Sequence, residues 1–341
     1  LIGLTFAYTR GGALSMGNCS ESKVIGCTFT NLGGPALTIG GGSDVEVQSC
    51  DFSNLGMGGI EVSGGNRQTL EPCDHQIVNN HIWNFGRNRW TYHPGINASG
   101  VGIRIAHNLI HDAPHAGILW GGNEITIAYN ELFHLLTETG DCGAIYSGRD
   151  WTYRGTVIRH NFFHHLGSAT DKHAVYLDDM YSSADIVGNV FWRAANGVFI
   201  GGGRDNLVAN NIFVACDPAI AVDDRGVNWT KSSNQILRSR LKDVPYDEPP
   251  YSERYRKLAT ILDDDPLLPR GNRIEKNILA DTKGWLDCPQ YLLDDGILAI
   301  ADNFTKGDPG FVAPEHGDFR FKENAPAKNI GFAPIPFDKI G

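Results

Sequence analysis

One six-residue pattern returns along this chain and constrains its fold more than any other feature. It runs: a β-branched residue, two variable residues, one fixed position, one variable residue, then a large apolar residue. The copies VIGCTF and VQSCDF put Cys27 and Cys50 at the fixed position. IVNNHI, IAHNLI, IAYNEL, IRHNFF, IVGNVF, VANNIF and IEKNIL put Asn80, Asn108, Asn130, Asn161, Asn189, Asn211 and Asn277 there. Successive copies lie 22 to 31 residues apart, until a gap of 66 precedes the last. A short unit recurring at such spacing, lengthened only by loops, marks a solenoid.

A second strand-like piece sits between the fixed positions: ALTI, IEVS, INAS, ILWG, AIYSG, AVYLD, GVFIG and AIAVD. Two or three short strands per coil with no helical period predict an all-β, right-handed parallel β-helix. The recurring Asn fits that fold. Stacked amides hydrogen-bond along the axis at the ~4.8 Å strand spacing and satisfy turn groups otherwise left without partners. Cys27 and Cys50 share the position as buried thiols. The pattern predicts coils over 1–230, a helical and loop insertion over 231–272 packed beside them, and the last coils with a proline-rich tail over 273–341. Within the insertion, Leu237–Leu241 and Glu253–Leu262 look helical.

Charge and composition narrow the partners. The net charge is −10 with no basic tract, which argues against nucleic acid and against a dedicated binder of acidic polymers. Neutral glycans and small neutral molecules remain. No apolar run approaches the ~20 residues of a membrane span, so membrane insertion is not expected. Leu1 already resembles the inside of a strand, so we expect a processed or truncated product. Seven cysteines, an odd number without a CxxC pair, indicate neither a zinc knuckle nor a complete disulfide framework. No cofactor is implied.

Strand alternation sorts the second strands into inward and outward columns. Ile118/Trp120, Ile145/Ser147, Val175/Leu177, Val198/Ile200 and Ile220/Val222 face inward. One outward column reads Glu61, Asn97, Leu119, Tyr146, Tyr176, Phe199, Ala221. The other reads Ser63, Ser99, Gly121, Gly148, Asp178, Gly201, Asp223. Asp178 is thereby set between two glycines, in an open notch walled by Tyr146, Tyr176 and Phe199. Aromatic faces beside carboxylates suit sugar rings. Asp179, one residue on, falls at the bend, where Arg149 of the preceding coil is placed to brace it.

Glycoside hydrolysis needs a second carboxyl group across the bond being cut. Asp141 enters the adjoining coil at the groove's edge and is the preferred partner. Asp223 shares the column of Asp178 two coils away, about 9.6 Å by strand spacing, and Glu138 is a weaker candidate. His115 and His173 enter their coils level with Asp141 and can meet a sugar hydroxyl or assist proton transfer. His160, His164 and His165 follow one ladder turn with no acidic ligand repeating beside them, which favours a structural role over a metal site. GGGRDN is not followed by a helix and is not a phosphate loop. Sequons at Asn97, Asn228 and Asn303 match by composition alone. The outward columns contain neither Lys nor Arg, which disfavours a lyase or epimerase. A non-catalytic glycan-binding solenoid is the third possibility.

The stretches GDCGAIYSGRDWTYRGTVIRHNFFHHLG, AVYLDDM and GVFIGGGRDNLVANNIFVACDPAIAVDDRG, with the ending DPGFVAPEHGDFRFKENAPAKNIGFAPIPFDKIG, carry a family likeness. Through them the chain resembles bacterial right-handed β-helix proteins related to glycoside hydrolase family 141, which includes α-L-fucosidases and xylanases. The resemblance covers essentially the whole chain. It implies a secreted or periplasmic hydrolase of plant cell-wall polysaccharide, longer at its N-terminus. By motif it implies catalytic aspartates at Asp141 and at the Asp178/Asp179 pair. This sequence departs from the pattern at Cys142, where a second glycine is expected.

Overall fold

The computed structural model describes residues 1–167, 171–228 and 233–341. Its frame is three parallel sheets of ten strands each, every coil giving one strand to each sheet. The first sheet runs from Thr5–Thr9 to Ile278–Ala280, the second from Leu14–Gly17 to Leu286–Asp287, the third from Lys23–Ile25 to Ala299–Ala301. This is the all-β parallel β-helix that the repeat predicts.

The fixed Asn sits at the corner between the third and first sheets. Asn130 Nδ2 donates to Asn161 Oδ1 at 2.9 Å and to the Ile105 carbonyl at 3.1 Å, while Asn161 Oδ1 also accepts the Asn130 amide at 2.9 Å. The same bonding runs from Asn80 to Asn277 and continues to Asn303, reached from Asn277 at 2.9 Å. Asn303, which the sequence marks only as a sequon, is therefore a rung. Above the asparagines, the Cys27 amide meets Cys50 Sγ at 3.4 Å and the Cys50 amide meets Asn80 Oδ1 at 3.0 Å. A corner that would strand one amide per coil is thus satisfied within the chain. A shorter ladder, Asn206 to Asn272 at 3.0 Å, serves the corner after the second sheet.

Inward side chains stack coil on coil. Phe163, Phe191 and Phe213 repeat with ring centroids 5.0 and 4.6 Å apart, and Phe29 stacks on Phe52 at 4.7 Å. The predicted inward residues of the second sheet are all buried. All seven cysteines are free thiols.

The insertion begins with the helix Ser233–Leu241; the boundary expected at residue 230 lies outside the described residues. The helix expected over Glu253–Leu262 is instead broken into Tyr251–Arg254, Arg256–Ala259 and the 3-10 turn Ile261–Asp263. Tyr255, with φ −124° and ψ 62°, interrupts it. Leu237, Leu241, Tyr251, Leu258 and Ile261 pack on Trp151, Met180 and Leu70 of the coils. Salt bridges hold its rim: Arg254 to Glu124 at 2.6 Å, Lys257 to Asp205 at 3.2 Å, and Arg204 to Asp264. The tail pairs Phe311–Ala313 with Asp318–Phe321 and lays Phe311 and Phe319 on Val190, Ile212 and Ile278 of the first sheet. Among the described residues no helix is long and apolar enough to cross a membrane.

Candidate active site

The second sheet holds the register read from alternation. Tyr146 pairs with Tyr176 and Tyr176 with Phe199, Gly148 pairs with Asp178, and Gly201 with Asp223. The Tyr176 and Phe199 rings stack at 5.0 Å, and Tyr146 meets Tyr176 edge-on at 5.3 Å. The aromatic column is thus in place, but Tyr176 is only 3 % exposed, packed by Tyr146, Phe199 and His173, so it backs the wall and does not present its face to a ligand as expected. Tyr92, on the loop before the second sheet, extends it, lying 6.3 Å from Tyr146 and 5.2 Å from His115.

The notch beside Asp178 is not open, contrary to the expectation. Asp178 is only 6 % exposed, and the space is filled by Arg225. Arg225 Nη1 donates to Asp178 Oδ1 at 2.5 Å, to Asp179 Oδ1 at 3.2 Å and to the Tyr176 hydroxyl at 3.3 Å. Its Nε donates to Asp223 Oδ2 at 2.8 Å, and the guanidinium lies 5.0 Å over the Phe199 ring. A Cβ on Gly201 would stand 2.7 Å from Arg225 Cζ, so this glycine makes room for the arginine. The outward columns do lack a cation, and the one beside Asp178 comes from outside them. Arg225 enters from the turn beyond Asp223, where strand alternation no longer applies.

The other oxygens of the cluster are also engaged. Tyr146 donates its hydroxyl to Asp178 Oδ2 at 2.7 Å, and the Asp179 amide donates to Asp178 Oδ1 at 2.8 Å. Asp179 is buried and bonded to Arg149 Nε, the pairing expected from the register. Its backbone bends there, with φ 35° at Asp179 and 62° at Met180, a left-handed pair unusual outside glycine. Asp141, also left-handed at φ 47°, is exposed at the groove edge and accepts from the Tyr176 hydroxyl at 3.3 Å. Asp141 and Asp178 are therefore joined through Tyr176 and Arg225.

Electrostatics separate these groups. Burial pushes the Asp223 carboxyl above the usual range despite the pull of Arg225, and its side chain keeps 30 % exposure. Burial opposes the charge on Arg225, but Asp223, Tyr176 and Asp178 outweigh it and hold the guanidinium protonated. Burial and then the Asp178 charge raise both the Tyr146 and Tyr176 phenols. His173 is pushed down to about 4 by burial and by Arg225, and is neutral at pH 7. It packs against both Tyr176 and Phe199, with Nδ1 3.2 Å from Asn196 Nδ2, so it shapes the wall from behind. His115 is likewise lowered to about 4 by burial, and its Nδ1 has no hydrogen-bond partner.

Asp178 and Asp223 grip neighbouring nitrogens of one guanidinium, which limits their nearest oxygens to about 8 Å apart. This bound excludes a separation beyond the ~5 to 9.5 Å over which two carboxyl groups share work on a glycosidic bond. The insertion stands at one end: Arg240 Nη1 donates to the Arg149 carbonyl at 2.7 Å.

The histidine cluster has one acidic neighbour. His164 Nε2 lies 3.0 Å from Glu131 Oε1, and its Nδ1 lies 2.9 Å from His165 Nδ1. Among the described residues, no group of three or more His, Cys, Asp or Glu side chains converges as a metal site.

No curated protein sequence matches this chain. Among the solved structures that resemble it at low similarity are the following two. One, named "Glycoside hydrolase", shares 19 % identity at a TM-score of 0.38, with 62 % of this chain covered. The other, "The complex structure of XylC with xylose", shares 14 % identity at a TM-score of 0.42, with 79 % of this chain covered. This chain spans 37 % and 39 % of their lengths. The family model for the right handed beta helix region matches residues 11–90 and 94–240, most of the coils, and the chain belongs to that family.

Proposed function

We propose that this chain is a glycoside hydrolase acting outside the cytoplasm on a neutral plant cell-wall polysaccharide, a xylan or a fucosylated glycan. One observation carries the reading: two carboxyl groups of unlike environment, Asp178 and Asp223, share one arginine beside a wall of Tyr146, Tyr176 and Phe199. Divergent environments are how a pair of carboxyl groups divides acid from base work.

Asp223, raised by burial yet partly exposed, serves as the acid. It gives its proton to the glycosidic oxygen as the bond from that oxygen to the anomeric carbon breaks. Asp178, met by Arg225, Tyr146 and the Asp179 amide, serves as the carboxylate. It either attacks the anomeric carbon or takes the proton of the attacking water. Asp141 lies at the exposed edge as the alternative acid, reached through Tyr176. Asp179 with Arg149 fixes the bend that presents Asp178.

Arg225 also reopens the lyase reading, because it supplies a cation beside the groove. Two facts weigh against it. The guanidinium is already bonded to three carboxylates, and the nearby phenols are raised, which makes them poor bases for proton abstraction.

The test incubates the parent, Asp178→Asn, Asp223→Asn and Asp141→Asn with xylan and with fucosylated oligosaccharides, reading reducing-end release. The parent releases sugar, and Asp178→Asn and Asp223→Asn each lose about 10²-fold or more. Full activity in both variants would remove the assignment. Unsaturated product from alginate or pectin would place the chain among lyases, and glycan binding without any sugar release would make it a binding module.

A further inference from the structure

We infer that the groove around Trp90 is a remote glycan-binding subsite that engages a chain running out from the aspartate cluster. This rests on the glycan reading above and extends it to a surface that the catalytic argument does not use. The groove has a volume of about 550 Å³ and is lined by Trp90, Arg87, Asp112, Thr137, Glu138 and Asn84, among others. That falls within the ~300–1,000 Å³ of small-molecule sites.

Its chemistry is that of a sugar subsite. Trp90 is 54 % exposed, so among the described residues about half of a large apolar ring is left open to solvent in the groove. An indole offers a flat face for the C–H side of a pyranose. Around it, Arg87 donates while Asp112, Glu138 and Thr137 accept, a mixture suited to ring hydroxyls rather than to a single charge. Asp112 is held in place by His111 Nδ1 at 2.8 Å and His134 Nδ1 at 3.2 Å.

Continuity fixes the occupant. Two residues after Trp90, Tyr92 is 57 % exposed and lies 6.3 Å from Tyr146, whose hydroxyl is bonded to Asp178. The loop that carries Trp90 into the groove thus also carries Tyr92 to the edge of the aspartate cluster. Glu138 and Asp141 share one loop, so the groove and the edge of the cluster are built by the same segment. A polymer bound across both would be held at a point remote from the reacting bond, and remote contacts of that kind position the scissile bond.

The experiment uses the full chain carrying Asp223→Asn, so that the probe is not consumed. Xylohexaose and a fucosylated xyloglucan oligosaccharide are titrated by calorimetry and by tryptophan emission. Among the described residues Trp90 is the one tryptophan more than half exposed, so its burial shifts emission to shorter wavelength. At least one probe binds with that shift. Adding Trp90→Ala raises its dissociation constant about tenfold and removes the shift, while Trp90→Phe restores most of the affinity. Because the side chain is exposed, both variants are expected to fold, and circular dichroism checks that they do. If Trp90→Ala binds as tightly as its background, the subsite is overturned while the hydrolase assignment stands on its own sugar-release test. If neither probe binds, the inference is overturned, and sugar release by the parent decides separately whether the hydrolase reading falls too.

Discussion

Replacing Arg225 by alanine is the sharpest perturbation that the site offers. The guanidinium is 4 % exposed and is the shared partner of Asp178 and Asp179, themselves 6 % and 4 % exposed. Removing one member of a buried ion pair costs about 3–5 kcal/mol, because the remaining charge keeps its desolvation without its partner. The lower half of that range applies here. Asp179 retains Arg149, and Asp178 retains Tyr146 and the Asp179 amide. Loss of the stacking over Phe199 adds roughly 1 kcal/mol. A total near 4 kcal/mol lowers the apparent unfolding midpoint by roughly 6 °C in a chain of this size. The pH dependence has a definite sign. The Asp223 carboxyl is already raised, and in the variant it also loses the lowering pull of Arg225. A carboxyl whose pKa is higher in the fold than in the unfolded chain favours the fold below the unfolded value and disfavours it as pH rises through the folded one. The gap between parent and variant is therefore widest near pH 8 and narrows toward about pH 3.9, the unfolded value. Thermal melts across that range measure it, and Arg225→Lys falls between the two because a point charge cannot span three carboxylates. A variant melting within about 1 °C of the parent near pH 8, or a gap that does not change with pH, would refute the reasoning.

Three further perturbations follow from the same structure. Asn161→Ala removes a side chain that accepts the Asn130 amide and donates to Asn189 and to the Ile127 carbonyl, leaving buried groups unpaired; a loss of about 2–4 kcal/mol is expected in denaturant melts, with protease nicking near that coil. If Asp223 is the acid, activity falls as pH rises through its raised pKa, and Asp223→Asn flattens that basic limb along with the rate; an unchanged limb in the variant assigns it elsewhere. His173, lowered to about 4 against 6.5, is protonated in the unfolded chain before the folded one, so stability drops by up to about 3 kcal/mol as pH falls from 6.5 through about 4. His173→Gln removes that slope, which melts at neutral and acid pH compare directly.

Much of this molecule is legible in its sequence because the solenoid is governed by two strict rules. Alternation fixes the faces, and one buried amide per coil fixes the corner. Together they put Tyr146, Tyr176 and Phe199 in one column and Asp178 and Asp223 in the next, as the pairing has them. The failures occur where those rules stop. Asn303 is followed directly by Phe304, one place early for the six-residue pattern, so its rung is hidden although its amide contacts are like the others. Arg225 lies on a turn, where the direction of a side chain is set by local backbone and not by period. One signal was available: a long cation two residues after Asp223, one coil along from a glycine in the outward column. By alternation such a glycine leaves space for a ligand, whereas here it is space for that arginine.

The same stacking that makes the site readable also explains why it needs Arg225. Parallel strands in register bring residues far apart in sequence to within a coil or two of each other, so acids in one column are forced together. Asp178 and Asp223 share a column, and Asp179 stands beside them. Three carboxylates at that spacing repel, and burial removes the water that would screen them. A lysine or two reaching in from the surface would lose contact with solvent and offer no fixed geometry. One planar guanidinium, anchored 47 residues further along than Asp178, answers all three and leaves Asp223 partly exposed toward the groove. The arginine thus does more than stabilise the fold. It engages Asp178 deeply and Asp223 at the rim, so the two aspartates that we propose as catalytic meet one cation from unlike surroundings, Asp223 being raised by burial against the pull of Arg225.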